Sequence, residues 1–279
     1  MNRPRTLQQS LAATLDGVRV RHLLDAACGD GMATARLLRA GVHIDAVTAV
    51  DRELPASFDR SAEVAEFSFV HSDLRRWLES SRNGTGATAE PDACVIASAL
   101  HHLPHFDQIL ARIAALLPRL LIVWEPLRCD GCPCAVLHEV KAEVDRAVGL
   151  WHRRPYTYDV VVRVLDWLRS FGVEWWHMEV VEPRSEELSS AEIAGAIGRT
   201  EQYLHLVQDR QALYAALVRR LRRTAIWRGG CRGEPHLLAI GTMREKAGAE
   251  QSAATLSSLD TAPVTTAPVT PRPRCAGVL

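Results

Sequence analysis

The sequence predicts an α/β fold, a doubly wound, Rossmann-like sheet of seven mostly parallel strands. Helices are expected on both faces of the sheet, together with a helical lid insertion. Three observations predict this fold. Short apolar runs alternate with helical patterns over roughly the first 125 residues. A glycine turn joins the first run to a helix, and polar residues stand where the runs end. Strands buried on both faces and alternating with helices are typical of parallel sheets.

Composition narrows the class of protein. The 279 residues suffice for one large domain or two small ones. Lys plus Arg and Asp plus Glu both number 33, and this neutral balance does not favour bulk electrostatic binding of nucleic acid. No apolar run is long enough for a bilayer, and the first residues lack the apolar core of a signal peptide. We therefore expect a soluble, cytoplasmic protein without a membrane partner.

The stretch Leu23–Thr34 organises the prediction, because it reads as the end of a strand, a tight turn and the start of a helix. Gly29 and Gly31 lie in the turn, where the backbone must bend sharply and let a ligand approach. A second apolar run, Ile44–Val50, ends at Asp51. Folds of this kind use an acid at that place to hold the two hydroxyls of a ribose.

Two ligand classes fit a glycine turn with a distant acid, namely dinucleotides and S-adenosylmethionine. The dinucleotide fingerprint needs a small residue where this chain has Thr34. The motif instead resembles the first motif of the class I S-adenosylmethionine-dependent methyltransferases, an acid followed by alternating small residues, here Asp25, Ala27, Gly29 and Gly31. Ala27 stands where that family usually has a glycine. A plain strand, turn and helix of any α/β protein remains the alternative.

Two later motifs strengthen the resemblance. A third predicted strand, Glu66–Val70, is followed by Asp73 at the start of a helix. In the family this acid contacts the adenine amino group, and Asp73 could equally cap the helix. The tract Ser98–Pro104, which follows a fourth strand, resembles the fourth motif of methyltransferases that act on small molecules.

The remaining elements complete a domain plan. A proline at position 126 is expected to stop the fifth strand, Leu120–Trp124, because proline has no amide hydrogen. A helix over Phe58–Ala65, a helix over Tyr158–Phe171 and two final strands are also predicted, the strands at Val173–Val181 and Pro235–Thr242. The plan is an N-terminal helix in 1–19, a methyltransferase domain over 20–246 with cap or lid insertions at 127–156 and 184–230, and a disordered tail over 247–279.

The resemblance implies a function and a set of cofactor contacts. It implies methyl transfer from S-adenosylmethionine, leaving S-adenosylhomocysteine, to a small organic acceptor of natural-product or quinone-like type. The alternatives are an RNA or protein methyltransferase that uses the arginines of 219–232, and a non-catalytic binding partner with the same fold. The residues implied to bind the cofactor are Asp25, Ala27, Cys28, Gly29, Gly31, Asp51, Arg52, Asp73, Leu74 and Ser98.

His101 and His102 are the candidate catalytic residues. Methyl transfer needs an aligned acceptor, and an oxygen, sulfur or carbon acceptor usually has to lose a proton. Histidine suits this task because its ordinary pKa is near neutrality. Both residues follow the fourth strand, close to where the methyl group is expected, and His102 is the favoured one. The alternative is that both histidines only shape the loop.

Cysteines and partners complete the predictions. Cys129, Cys132 and Cys134 are close enough in sequence to bind a soft metal if His138 or Cys231 supplied a fourth ligand. We favour reduced cysteines in a tight turn and predict no metal site. The expected partner is a small-molecule acceptor. The oligomeric state is left open, and a homodimer is one of the possibilities. The acceptor atom is not revealed by the sequence.

Overall fold

The structure is a computed structural model that describes residues 5–53, 64–82, 91–116, 118–128, 155–181 and 235–244. It also describes nine single residues, 139, 142, 145, 146, 198, 212, 215, 216 and 219. Outside the described residues lie the three clustered cysteines and Cys231, nearly all of both predicted insertions, most of the helix predicted over Phe58–Ala65, and the whole predicted tail. The domain boundaries and the lid therefore remain predictions.

Seven strands form one sheet in the order β3-β2-β1-β4-β5-β7-β6. The strands are β1 (Arg19–Ala26), β2 (His43–Asp51), β3 (Glu66–His71), β4 (Ala93–Ala97), β5 (Leu120–Pro126), β6 (Val173–Val181) and β7 (His236–Met243). The described α-helices are α1 (Leu7–Leu15), which precedes β1, and α2 (Met32–Arg39), α3 (Leu74–Arg82), α4 (Phe106–Ala115) and α5 (Tyr158–Leu168). β1 to β5 are parallel, whereas β7 is antiparallel to both of its neighbours. The predicted mostly parallel, seven-stranded sheet is confirmed.

Both faces of the sheet are covered, because alternate residues of the central strands enter two separate cores. On one face, β1 contributes Leu24 to a cluster that also contains Leu78 of α3 and Leu165 of α5. On the other face, β1 contributes Leu23 to a cluster with Leu11 of α1 and Leu37 of α2. A residue period of two on a strand buried from both sides produces this arrangement. The prediction of helices on both faces is therefore confirmed.

The parallel strands end at one level, which creates a common edge. Ala26 at the end of β1 pairs with Val50 of β2 on one side and with Ile96 of β4 on the other. Asp51, the last residue of β2, pairs with His71, the last residue of β3. We call this edge, formed by the carboxyl ends of β1 to β5, the rim. Ligands of open α/β sheets bind at such an edge.

The fifth strand ends at Pro126, as predicted, although it extends past Trp124. Pro126 pairs with His236, and the amide of Leu127 donates to Pro235 O at 2.7 Å. The segment between β4 and α4 is not one continuous helix. A short 3₁₀ helix at Leu100–His102 comes first, and the left-handed backbone of His105, with φ of +53°, separates it from α4.

Gly241 of β7 lies where no larger residue fits. A Cβ atom built there would lie 2.8 Å from Trp175 Cε3 and 3.0 Å from Val173 Cγ1, both on the neighbouring strand β6. Trp175 cannot easily give way, because its side chain is buried and its indole N–H donates to Leu165 O at 2.6 Å. Glycine thus permits the close contact between the last two strands and α5.

We predict that Gly241→Ala lowers the free energy of unfolding by about 1–3 kcal/mol, because the extra methyl group overpacks a rigid site. Urea unfolding followed by circular dichroism measures the change. Gly198→Ala is the control, since none of the described residues lies within 4 Å of its Cβ position. Equal stability of the two variants would show that β6 can move away from Gly241.

Candidate cofactor and active site

The turn between β1 and α2 has an unusual backbone. Ala27, Gly29 and Gly31 all adopt positive φ, at +55°, +54° and +82°. The Cys28 amide donates a hydrogen bond to Val50 O of β2 at 3.1 Å, which holds the turn against that strand. Within the turn, the Gly31 amide donates to Cys28 O at 2.9 Å. A positive φ disfavours residues that carry a Cβ. Ala27 therefore bears strain that glycine would avoid, which gives a physical reason for the glycine usual at this position in the resembling family.

Asp51 is tied to this turn. Its Oδ2 accepts a hydrogen bond from the Gly29 amide at 2.8 Å, and its Oδ1 accepts one from the Glu53 amide at 2.9 Å. Gly29 is exposed, and no atom of the described residues lies within 4 Å of the place where a Cβ would stand. The acid and the exposed glycine of the motif, although 22 positions apart, are thus adjacent at the rim, where the described residues leave space.

Asp73 lies on the same edge of the sheet as Asp51. Ser72 donates its amide to Asp51 O at 2.9 Å, and His71 Nε2 lies 2.8 Å from Arg52 O. Asp73 Oδ1 accepts the amides of the next turn, from Arg75 at 3.0 Å and from Arg76 at 3.3 Å. Asp73 is therefore a helix cap, as one of the two sequence interpretations proposed, and both cap bonds end on a single carboxylate oxygen.

Solved structures resemble this chain in fold, whereas the sequence comparisons find no match. The chain matches no protein family, and no curated protein matches it. A cyclopropane-fatty-acyl-phospholipid synthase-like protein from Lactobacillus casei ATCC 334 is similar in structure, with 16% identity, 87% of this chain and 96% of that chain covered, and a TM-score of 0.50. A protein from Bacillus halodurans C-125, named provisionally as a methyltransferase, has 14% identity, 85% and 99% coverage and a TM-score of 0.48. The cyclopropane synthase MmaA2 from Mycobacterium tuberculosis has 13% identity, 84% and 82% coverage and a TM-score of 0.43.

The chain has the class I methyltransferase fold. The strand order and the likeness at a TM-score of 0.50 show the fold alone. The resemblance read from the sequence motifs is confirmed at that level. None of the helices in the described ranges has the length and apolar character that crossing a membrane requires.

The acid that opens the first motif lies beneath the rim. Asp25 is 1% exposed, and its Oδ2 accepts both the hydroxyl of Thr34 at 2.6 Å and the Thr34 amide at 3.3 Å. These bonds fix the first turn of α2 to the end of β1. Asp25 Oδ1 is buried without a hydrogen-bond partner among the described residues. The sequence does not predict the hydrogen bonds between Asp25 and Thr34, because Thr34 stands out there only as a mismatch to the dinucleotide pattern.

Burial changes the acidity of Asp25. Loss of solvent raises its pKa from an ordinary value of 3.8 to about 7, opposed by the hydrogen bonds from Thr34 and assisted by the charges of Asp51 and Asp30. Burial also raises the pKa of the Cys28 thiol above its ordinary value, with smaller contributions from the charges of Asp25, Asp51 and Asp30. The first motif of this methyltransferase fold thus holds a carboxyl group that titrates near neutral pH and a thiol that stays protonated.

The loop after β4 gathers the other predicted residues around Glu125. Ser98 adopts a left-handed backbone, with φ of +51°, and donates its amide to Trp124 O at 2.8 Å. His101 is buried, and its Nδ1 lies 2.6 Å from Glu125 Oε1. His102 is half-buried, and its ring centroid lies 4.2 Å from that of His101. The two candidate histidines therefore lie side by side, and they differ in burial.

Three further predicted contacts differ in accessibility. Leu74 is buried in the core under α3, and Cys28 is buried within the turn. The Arg52 side chain is exposed, and its guanidinium lies 3.7 Å from Glu53. In the part of the chain that the structure describes, no group of three His, Cys, Asp or Glu side chains could hold a metal ion. The roles assigned to these residues from the sequence remain predictions.

The raised pKa of Asp25 predicts a pH-dependent stability. Between about pH 4 and pH 7 the folded chain keeps a proton that the unfolded chain has released, so stability falls as pH rises through this window. Asparagine does not titrate, while its amide oxygen can still accept from Thr34. We therefore predict that Asp25→Asn abolishes this part of the pH dependence, which amounts to at most about 1.4 kcal/mol in the free energy of unfolding per pH unit.

Urea unfolding at pH 5, 6, 7 and 8 measures the effect, with Asp45→Asn, an exposed acid on β2, as the matched control. The stability difference between Asp25→Asn and the unaltered chain should grow with pH and level off above about pH 8. A difference that is the same at every pH would contradict the raised pKa.

Proposed function

We propose that this chain transfers a methyl group from S-adenosylmethionine to a small organic acceptor of natural-product or quinone-like type. One observation carries the proposal, namely that the exposed glycine turn and Asp51 are joined by a 2.8 Å hydrogen bond at the rim, where the described part of the chain leaves space beside Gly29. Asp73 stands on the same edge of the sheet. The methyltransferase fold supports the proposal, because in open α/β sheets this edge is where ligands bind.

The donors and acceptors at the rim fit an adenosine. A carboxylate has about four acceptor positions, and Asp51 uses one on each oxygen for the amides of Gly29 and Glu53. The remaining positions suit the two hydroxyls of a ribose. Asp73 uses only Oδ1 for its cap, so its other oxygen suits the adenine amino group. The absence of a Cβ at Gly29 allows a ligand to approach the backbone closely.

S-adenosylmethionine supplies an electrophilic methyl group on a positively charged sulfur. The chain has to bind this cation, align the acceptor and remove the acceptor's proton. Carboxylates at or beneath the rim favour a positive ligand, and Asp51 is partly exposed beside the glycine turn. His102 is our candidate for the proton acceptor, since it is half-buried on the loop after β4.

Isothermal titration calorimetry with S-adenosylmethionine and with S-adenosylhomocysteine tests the cofactor assignment. We predict that Asp51→Ala weakens binding about 10- to 100-fold, because a ligand hydroxyl loses a charged hydrogen-bond acceptor. Asp45→Ala is the matched control, since Asp45 is an exposed acid on the same strand, and we expect its affinity to be unchanged. Absence of binding to the unaltered chain would contradict the proposal, as would equal affinities of the two variants.

The acceptor class is tested with S-[methyl-³H]adenosylmethionine and a panel of phenols, hydroxyquinones, thiols and amines. We predict that His102→Ala lowers transfer to a hydroxyl acceptor about 100-fold or more, because general-base catalysis contributes about that factor. Affinity for S-adenosylhomocysteine should stay within about threefold. Full transfer by this variant would remove His102 from the mechanism, and no transfer despite cofactor binding would favour a non-catalytic binding partner.

A further inference from the structure

Glu125 is a fully buried carboxylate at the rim. It lies in β5 next to Pro126, and its side chain is 0% exposed. Three hydrogen bonds end on it. The Leu100 amide donates to Oε2 at 3.1 Å, the His101 amide donates to Oε1 at 3.2 Å, and His101 Nδ1 lies 2.6 Å from Oε1. A buried carboxylate is tolerated only when it is paired and hydrogen-bonded. All three of these partners belong to the 3₁₀ helix Leu100–His102, which we call the rim turn.

The hydrogen bonds assign a proton position to His101. Two backbone amides donate to Glu125, one to each carboxylate oxygen. Since Oε1 already accepts the His101 amide, the 2.6 Å contact is assigned as a hydrogen bond from His101 Nδ1–H to Oε1. A histidine whose Nδ1–H is held by a carboxylate has a fixed ring orientation. Glu125 thus holds both the backbone and one side chain of the rim turn.

The orientation of His101 is passed to His102. The two rings lie with centroids 4.2 Å apart and planes inclined at 45°. The Ser98 amide donates to Trp124 O of β5 and anchors the start of the loop, and the His102 amide closes the turn by donating to Ala99 O at 2.9 Å. His101 is itself too buried to meet an acceptor, with a side chain 3% exposed. His102 packs against the ring that Glu125 holds.

We propose that Glu125 is a positioning residue that acts through His101 to orient His102 toward the methyl acceptor. The two histidines then have different tasks, since His101 supports the turn and His102 faces the acceptor. This inference rests on the proposed function. The sequence alone does not indicate this role, because Glu125 is one of several polar residues that follow apolar runs.

The first test is nuclear magnetic resonance of the full chain labelled with ¹⁵N-histidine. Long-range ¹H–¹⁵N spectra distinguish the two nitrogens of each ring, and His101→Gln assigns the His101 signals. We expect His101 to carry its proton on Nδ1, with that proton shifted downfield by the short bond to Glu125. A proton on Nε2 alone would overturn the proposal, and this measurement needs no folded variant of Glu125.

The second test uses Glu125→Gln, Glu125→Asp and the matched control Glu79→Gln, which removes an exposed carboxylate from α3. S-adenosylhomocysteine is the probe. We expect it to shift the His102 ring signals in the unaltered chain and in Glu79→Gln. In Glu125→Gln the downfield His101 proton should disappear and the His102 shift should fall at least twofold. Glu125→Asp, which keeps the charge, should restore part of both signals.

Affinity separates this inference from the proposed function. The adenosine contacts lie on β1 to β3, so Glu125→Gln should change the dissociation constant of S-adenosylhomocysteine less than about threefold. An unaltered His102 shift in Glu125→Gln would overturn the positioning role although the cofactor binds. Failure of the unaltered chain to bind the probe would instead contradict the proposed function, and the His101 proton would still decide whether Glu125 holds the rim turn.

Discussion

The hydrogen bond from the Gly29 amide to Asp51 joins the two features on which the candidate site depends. One is a turn whose backbone is left-handed at three positions, and the other is an acid at the end of the neighbouring strand. Their contact requires β1 and β2 to end at the same level, which the parallel pairing of Ala26 with Val50 provides. Without that register the same residues would be present but would not form an edge that can bind a ligand.

Carboxylates at the rim divide into two groups that differ in burial. Asp51 and Asp73 remain accessible at least in part, and they are the residues to which we assign the adenosine. Asp25 and Glu125 are buried, and each holds one loop of the rim, through Thr34 and through His101. A row of acids at strand ends therefore combines ligand groups with supporting groups. Burying a carboxylate is costly unless it is hydrogen-bonded, and each of these two acids has one contact of 2.6 Å, Asp25 with the Thr34 hydroxyl and Glu125 with His101.

Much of the fold could be predicted from the sequence, because the strands are apolar runs buried on both faces and the helices have clear periodicity. The positions of Asp51 and Asp73 could be predicted for the same reason, since parallel strands deliver their carboxyl ends to one edge. The burial of Glu125 could not. Its partner His101 is 24 positions away, and no local pattern reveals which of two adjacent histidines turns inward. The end of β5 at Pro126 could be predicted, because proline has no amide hydrogen to continue the strand.

The central claim is that the rim binds adenosine through Asp51 and Asp73, and a crystal structure of the chain with S-adenosylhomocysteine tests it most directly. The account predicts both ribose hydroxyls within about 3 Å of the Asp51 carboxylate, and the adenine beside Asp73. It also predicts the sulfur on the side of the rim turn, nearer to His102 than to His101. A ligand bound at another edge of the sheet, or a ribose that makes no contact with Asp51, would contradict the account.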